Sequence, residues 1–254
     1  MEGKITKSIN EKGVGVISFY HPAHNSMPGY LLEGLENAIL EFGKNETVRV
    51  ILLESEGDRT FCAGASFDEL ITVSNEVNGK AFFMGFARVI NALRTCRKIT
   101  VARVQGKAVG GGVGICAAVD YAIASKWASI KLSELTLGIG PFVIGPAVER
   151  KMGKAVLGHM TLNASEWQTA HWAKEKGLFQ EVFDTREQMD AYISEFTVKL
   201  AGYNPEAMVE VKNILWEGTD HWTDLLEKRA GLSGRLVLSE YAKKALQKIK
   251  EKKA

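Results

Sequence analysis

The runs VRVILLES (48–55) and ITVARVQ (99–105) constrain this chain more than any other feature, because each is short, apolar and rich in β-branched residues. Runs of this kind suit strands covered on both faces. Between them NGKAFFMGFARVINALRT (78–95) reads as a helix, and DYAIAS (120–125) continues the alternation. Strands separated by helices imply crossover connections, so the first part of the chain is expected to be α/β. Upstream, ITKSINEKGVGVISFYH (5–21) has two β-favouring runs around Glu11-Lys12-Gly13, a hairpin pattern. A helix is expected next, with Leu31, Leu32, Leu35, Ala38, Ile39 and Phe42 on one face. From about Phe142 helices dominate, with one strand candidate in FQEVF (179–183). Asn204-Pro205 separates two helical runs, and the basic EYAKKALQKIKEKKA (240–254) reads as a helix or a frayed end.

At 254 residues, 46% hydrophobic and 24% charged, the chain suits one large globular domain with a small helical appendage. A formal charge of +2 excludes the strong field that would invite nucleic acid or a membrane surface. A small anionic ligand held by local cations stays open. Cys62, Cys96 and Cys116 are odd in number and lack metal-ligand spacing, which fits a reducing compartment without a metal site. The start MEGKITKSINEKG has no apolar signal core, and no stretch approaches ~18 apolar residues. The expectation is a soluble cytoplasmic protein.

GKAVGGGVGICAAVD (106–120) sets three consecutive glycines before a helical pattern. Gly112 to Ala117 fit the glycine spacing of a dinucleotide-binding turn, and Glu134 stands where a ribose-binding acid could be. That motif requires its first glycine directly after a strand, whereas the strand here ends near Gln105, so the dinucleotide reading is set aside. Glycines at a helix start let the chain approach a ligand closely and leave N–H groups free to hold an oxyanion. RTFCAGASFDEL (59–70) repeats the arrangement: Ala63-Gly64-Ala65 make a tight turn after a strand, and Ser66 can cap a short helix. Two such turns could bring two donors onto one oxygen.

Together with HPAHNSM (21–27), LSELTLGIGPFVIGPAVERKMG (132–153), ASEWQTAHWAKEKGLFQEVF (164–183) and NPEAMVEVK (204–212), these segments resemble, in their order and spacing, the enoyl-CoA hydratase/isomerase (crotonase) superfamily. The resemblance covers nearly the whole chain. It implies an α/β core (1–200) built as a spiral of ββα units, followed by a C-terminal helical trimerisation region (201–254). It also implies an acyl-CoA thioester whose carbonyl lies between the N–H groups of Ala65 and Gly111, flanked by Gly64 and Gly110. The adenine would lie near the backbone of Ala63 and of the Ala23-His24 turn, and Lys212, or the cluster Lys243, Lys244, Lys248 and Lys250, could meet phosphates. Coenzyme A is then part of the substrate, and no separate cofactor is expected. Leu225, Leu226, Leu232, Leu236 and Leu238 are expected to pack on neighbouring subunits of a homotrimer or hexamer.

Hydratases of this family carry two glutamates. One matches Glu134, which lies between apolar runs where a carboxyl would be partly desolvated and its pKa raised. The other position is Gly114, which cannot move a proton. A single carboxylate suffices to carry a proton from C2 of a 3-enoyl-CoA to C4, as in the one-glutamate Δ3,Δ2-enoyl-CoA isomerases, which the chain also resembles in Pro22-Ala23-His24-Asn25 and Gly138-Ile139-Gly140-Pro141-Phe142. Isomerisation with Glu134 as acid/base is the leading expectation. A hydratase that tolerates Gly114 and a CoA-binding scaffold without turnover are the alternatives. Asp68 and Glu69 are weaker acid candidates, and Phe82, Phe83, Phe86 and Ile90 could wall an acyl chain.

Overall fold

A computed structural model describes residues 2–253. The chain opens with β1 (Lys4–Ile9) and β2 (Val14–Tyr20), paired antiparallel with Ile9 opposite Gly15. Asn10 shapes the turn, its Oδ1 accepting from the N–H groups of Lys12 and Val14. Helix α1 (Gly29–Lys44) follows and buries the six apolar residues that its spacing singles out.

Three units of like design come next. The first is β3 (Val50–Ser55), β4 (Thr60–Cys62), α2 (Phe67–Leu70) and α3 (Glu76–Thr95). The second is β5 (Ile99–Val104), β6 (Lys107–Val109) and α4 (Gly111–Ala118). The third is β7 (Tyr121–Ser125), β8 (Ser129–Lys131), a 3₁₀ turn (Glu134–Leu137) and α5 (Gly145–Met152). The chain continues through α6 (Lys154–Leu162), β9 (Gln168–Thr169), α7 (Ala170–Glu175), β10 (Glu181–Phe183) and α8 (Arg186–Ala201). It finishes with α9 (Pro205–Leu215), α10 (Trp222–Leu236) and α11 (Glu240–Lys253).

The first strand of each unit joins a six-stranded sheet, β1-β2-β3-β5-β7-β10, and the second joins a four-stranded sheet, β4-β6-β8-β9. Each unit is thus one turn of an α/β spiral. In the large sheet β2, β3, β5, β7 and β10 run parallel. One face packs on α1, α3 and α4 through Ile17, Ile51, Leu53 and Val104. On the other, Val50, Leu52, Val101 and Ile123 meet Met189 and Ile193 of α8, so the apolar runs are covered on both faces.

The small sheet positions the functional residues. Its strands β4, β6 and β8 are parallel neighbours, Cys62 pairing with Ala108 and Val109 with Lys131. Their carboxyl ends therefore lie side by side, where open α/β sheets bind ligands. From these ends the chain enters α2, α4 and the Glu134 turn.

The C-terminal helices have more company within the chain than the sequence suggests. Helix α10 lies along α3 so closely that a Cβ on Gly79 would stand 2.8 Å from the carbonyl oxygen of Gly234. Trp222, Leu226 and Ala230 enter the same core as α1 and α3. Leu226 is fully buried, while Leu225, Leu232, Leu236 and Leu238 are half-buried in the single chain. Among the described residues no helix is long and apolar enough to cross a membrane.

Candidate active site

Three chain turns meet at one cavity of about 200 Å³. The first, Ala63-Gly64-Ala65, leaves β4 and is fixed by Met27, whose N–H donates to the Gly64 carbonyl at 2.8 Å and whose carbonyl accepts from Ser66 N–H at 3.3 Å. That bridge leaves the Ala65 N–H facing away from Met27. Ser66 then caps α2, its Oγ accepting from Glu69 N–H.

The second turn is the glycine triplet. Gly110 has φ +52, a conformation that L side chains rarely adopt, and its N–H donates to the Lys131 carbonyl. A Cβ on it would also stand 2.9 Å from Glu134 Oε1. One on Gly111 would stand 2.2 Å from Phe86 Cζ, and one on Gly112 would stand 2.6 Å from the Cys62 carbonyl oxygen. The three glycines thus give room to the carboxylate, the aromatic wall and the neighbouring turn in that order. The two turns touch: a Cβ on Gly64 would lie 2.9 Å from the Val109 oxygen and 3.6 Å from Gly111 N. Among the described residues neither the Ala65 nor the Gly111 N–H has an acceptor. Gly111 opens α4, so its N–H lies at the positive end of that helix.

The third turn carries Glu134. Its Oε2 is shut from solvent and has no hydrogen-bond partner among the described residues. Desolvation pushes its pKa up from 4.5 to about 7, opposed only by a bond from its own backbone N–H. A carboxyl so placed accepts and returns protons near neutrality. Around it the lining is apolar. Among the described residues Ser133 and Ser233 are the only other polar side chains there, while Phe82, Phe83, Phe86 and Phe142 form much of the wall.

Ala63, Gly64, Ala65, Gly110, Gly111 and Glu134 therefore converge on this cavity. Ala23 and His24 lie outside it in an exposed turn. Asn25 ties that turn to the site, its side-chain amide donating to the carbonyls of Glu56 and Thr60 while its own carbonyl accepts from Ala63 N–H. Lys212 leaves the set. It is 2% exposed, and its Nζ donates to Asp120 Oδ2 at 2.9 Å and to the Lys98 carbonyl at 2.8 Å, so no phosphate can reach it. Ile90 is also removed, being sealed in the core behind Phe86. Glu69 caps α1 by accepting from Gly29 N–H, and Asp68 is exposed away from the cavity. Lys243, Lys244, Lys248 and Lys250 are exposed on α11. The dinucleotide spacing falls inside α4, because β6 separates it from β5.

Two residues that sequence reasoning passed over complete the site. A Cβ on Gly114 would stand 2.5 Å from Ile144 Cγ2 and 2.8 Å from Ile144 Cβ. A methyl-bearing side chain thus occupies the space into which a second carboxylate would project. The only available signal was the place of Ile144 in the GIGPFVIGP run. Arg229 of α10 holds the loop before it, donating to the Phe142 carbonyl at 3.2 Å. Nothing in its local sequence marks that partner.

The enoyl-CoA hydratase/isomerase family model matches residues 9–254. Among curated relatives, the bacillaene synthase dehydratase of Bacillus subtilis (strain 168) is 29% identical over 83% of this chain and 80% of its own. The peroxisomal Delta(3,5)-Delta(2,4)-dienoyl-CoA isomerase of Arabidopsis thaliana is 25% identical over 70% of this chain and 68% of its own. The crystal structure of an enoyl-CoA hydratase from Bacillus halodurans superposes with a TM-score of 0.89 at 21% identity, covering 96% of this chain and 99% of that one. That likeness establishes the fold.

Proposed function

The chain belongs to the enoyl-CoA hydratase/isomerase family, and on that premise we propose that this enzyme moves the double bond of an acyl-CoA from Δ3 to Δ2 with Glu134 as its one acid/base. The observation that carries the reading is the lone carboxyl: Glu134 lines the cavity, and Ile144 fills the space facing Gly114.

In this reading the thioester oxygen accepts from the N–H groups of Ala65 and Gly111. The Glu134 carboxylate takes a proton from C2, and the electron pair passes into a dienolate whose charge rests on that oxygen. The protonated Glu134 then returns the proton to C4, leaving a C2–C3 double bond. Donors aimed at the developing charge stabilise the intermediate more than the substrate, and one such donor is typically worth about 10²–10³ in rate. A carboxyl titrating near 7 suits both steps, since neither its charged nor its neutral form is strongly favoured.

A second reading, hydration or its reverse, draws support from the bacillaene synthase dehydratase. Glu134 would then take the C2 proton and pass it to the C3 hydroxyl, which leaves as water as the C2–C3 double bond forms. Incubation with separate 2-enoyl-, 3-enoyl- and 3-hydroxyacyl-CoA panels, followed by mass, distinguishes the two. The proposal expects a 2-enoyl product of unchanged mass from 3-enoyl-CoA, whereas gain or loss of one water as the main reaction would overturn it.

The proposal extends to a cytoplasmic homotrimer or hexamer. Val211, Ile214 and Leu215 of α9 are 47%, 70% and 44% exposed in the single chain, an apolar face suited to a neighbouring copy. A light-scattering mass near that of one 27.9 kDa chain would reject the assembly.

A further inference from the structure

Ser233 is a buried polar residue that neither the fold nor the proposed proton transfer uses. It lies on α10 at 1% exposure and lines the cavity, so the little surface it keeps opens there. Among the described residues its hydroxyl has no hydrogen-bond partner. Unlike Glu134 Oε2, its Oγ is not sealed off, so the hydroxyl meets the cavity, whereas a serine in a helix commonly turns back to its own backbone. Close packing of α10 on α3 explains a small residue at this position, as it does for Gly234, but alanine would serve that purpose without placing a hydroxyl on the cavity wall.

The place of Ser233 along the cavity follows from α3. Phe86 of that helix lies against Gly111, at the oxyanion end, while Gly79 crosses Gly234 beside Ser233. These points are two helical turns apart, about 10 Å at ~1.5 Å per residue. Phe82 and Phe83 line the stretch between them. An acyl chain with its thioester at Gly111 would therefore meet Ser233 several carbons beyond the reacting ones. Among the described residues lysine, arginine and histidine are absent from the lining, so a second carboxylate on the acyl chain would be desolvated without a counter-charge.

We propose that Ser233 selects the acyl group: its hydroxyl hydrogen-bonds an uncharged oxygen, a hydroxyl or a keto group, carried beyond C4 of the chain. The preferred substrates are then oxygenated acyl-CoA esters, while plain chains are accepted without that bond. The inference rests on the acyl-CoA reading above. It adds a specificity-determining residue and leaves the chemistry to Glu134.

The test uses saturated esters, which bind without reacting. Hexanoyl- and octanoyl-CoA are titrated calorimetrically against counterparts bearing one hydroxyl at successive carbons from C5 outward. At least one hydroxylated probe should bind about tenfold more tightly than its parent, the effect of one hydrogen bond of ordinary strength. Ser233→Ala should abolish that preference and leave the parent within about twofold. Ser233→Cys keeps the bulk but offers only a weak donor, and it should show the same loss. Equal binding of all probes, a preference that survives both substitutions, or tighter binding of a carboxylated probe would overturn the proposal. If plain esters bind without preference, only the role of Ser233 fails. Should no CoA ester bind, the acyl-CoA reading fails and this inference with it.

Discussion

Glu134→Gln should make the protein more stable and less active, and the size of the first effect follows from the site. Burial moves the Glu134 pKa from 4.5 to about 7. At about 1.36 kcal/mol per unit, holding the charged carboxylate in the folded state costs about 3 kcal/mol more than in the unfolded chain. The folded state binds this proton more tightly than the unfolded one. Its stabilising contribution is therefore complete below 4.5 and is lost as pH rises through about 7. Glutamine keeps the shape and cannot ionise. Urea denaturation of both proteins at steps from about pH 4 to pH 8 should show the variant gaining about 3 kcal/mol on the wild type across that window. Activity should move oppositely: wild-type kcat/KM climbs about tenfold per pH unit below about 7 and levels off above it, while the variant stays inactive. A stability difference that is flat with pH would refute the buried, unpartnered carboxyl as described.

Gly111→Ala and Gly111→Pro both press on Phe86, but only proline removes the N–H, and proline is tolerated at the first residue of a helix. Stopped-flow turnover should therefore be about 10²–10³ lower in the proline variant than in the alanine variant, and equal rates would remove Gly111 from the oxyanion hole. Gly114→Ala drives a methyl into Ile144, an overpacking cost of about 1–3 kcal/mol in a denaturant titration that Ile144→Ala should largely relieve. Lys212→Ala removes the ion-pair partner of Asp120 and should cost about 3–5 kcal/mol of stability while acyl-CoA Kd stays unchanged. A weakened Kd with intact stability would return Lys212 to a phosphate-binding role.

What could be read in the sequence was local or periodic. The hairpin, the α1 face and the apolar runs of β3, β5 and β7 follow from residue spacing alone, because burial on one or both faces leaves a pattern along the chain. The two glycine-bearing turns were legible for the same reason, since glycine marks where backbone must come close. Contacts between distant segments left no such trace. Lys212 resembles any basic residue on a helix until Asp120, 92 positions earlier, closes on it within the core. Strand β9 is only two residues long, too short for alternation to register. Leu226 was grouped with an intersubunit face because the closeness of Gly79 to Gly234, which seats α10 on α3, depends on tertiary geometry. Ile144 was missed likewise: Gly114 announces a missing carboxylate, but only the fold shows what stands against it.

The central claim is that one carboxyl removes the C2 proton and delivers it to C4. Glu134 Oε2 is closed to solvent, so a proton it takes exchanges slowly with water. A single-turnover reaction in ordinary water with 3-enoyl-CoA deuterated at C2 tests this directly, with the label located by mass spectrometry and NMR. The account predicts 2-enoyl-CoA carrying deuterium at C4 in a substantial fraction of product, and no product from Glu134→Gln. Complete loss of the label to water, or undiminished isomerisation by the glutamine variant, would contradict it.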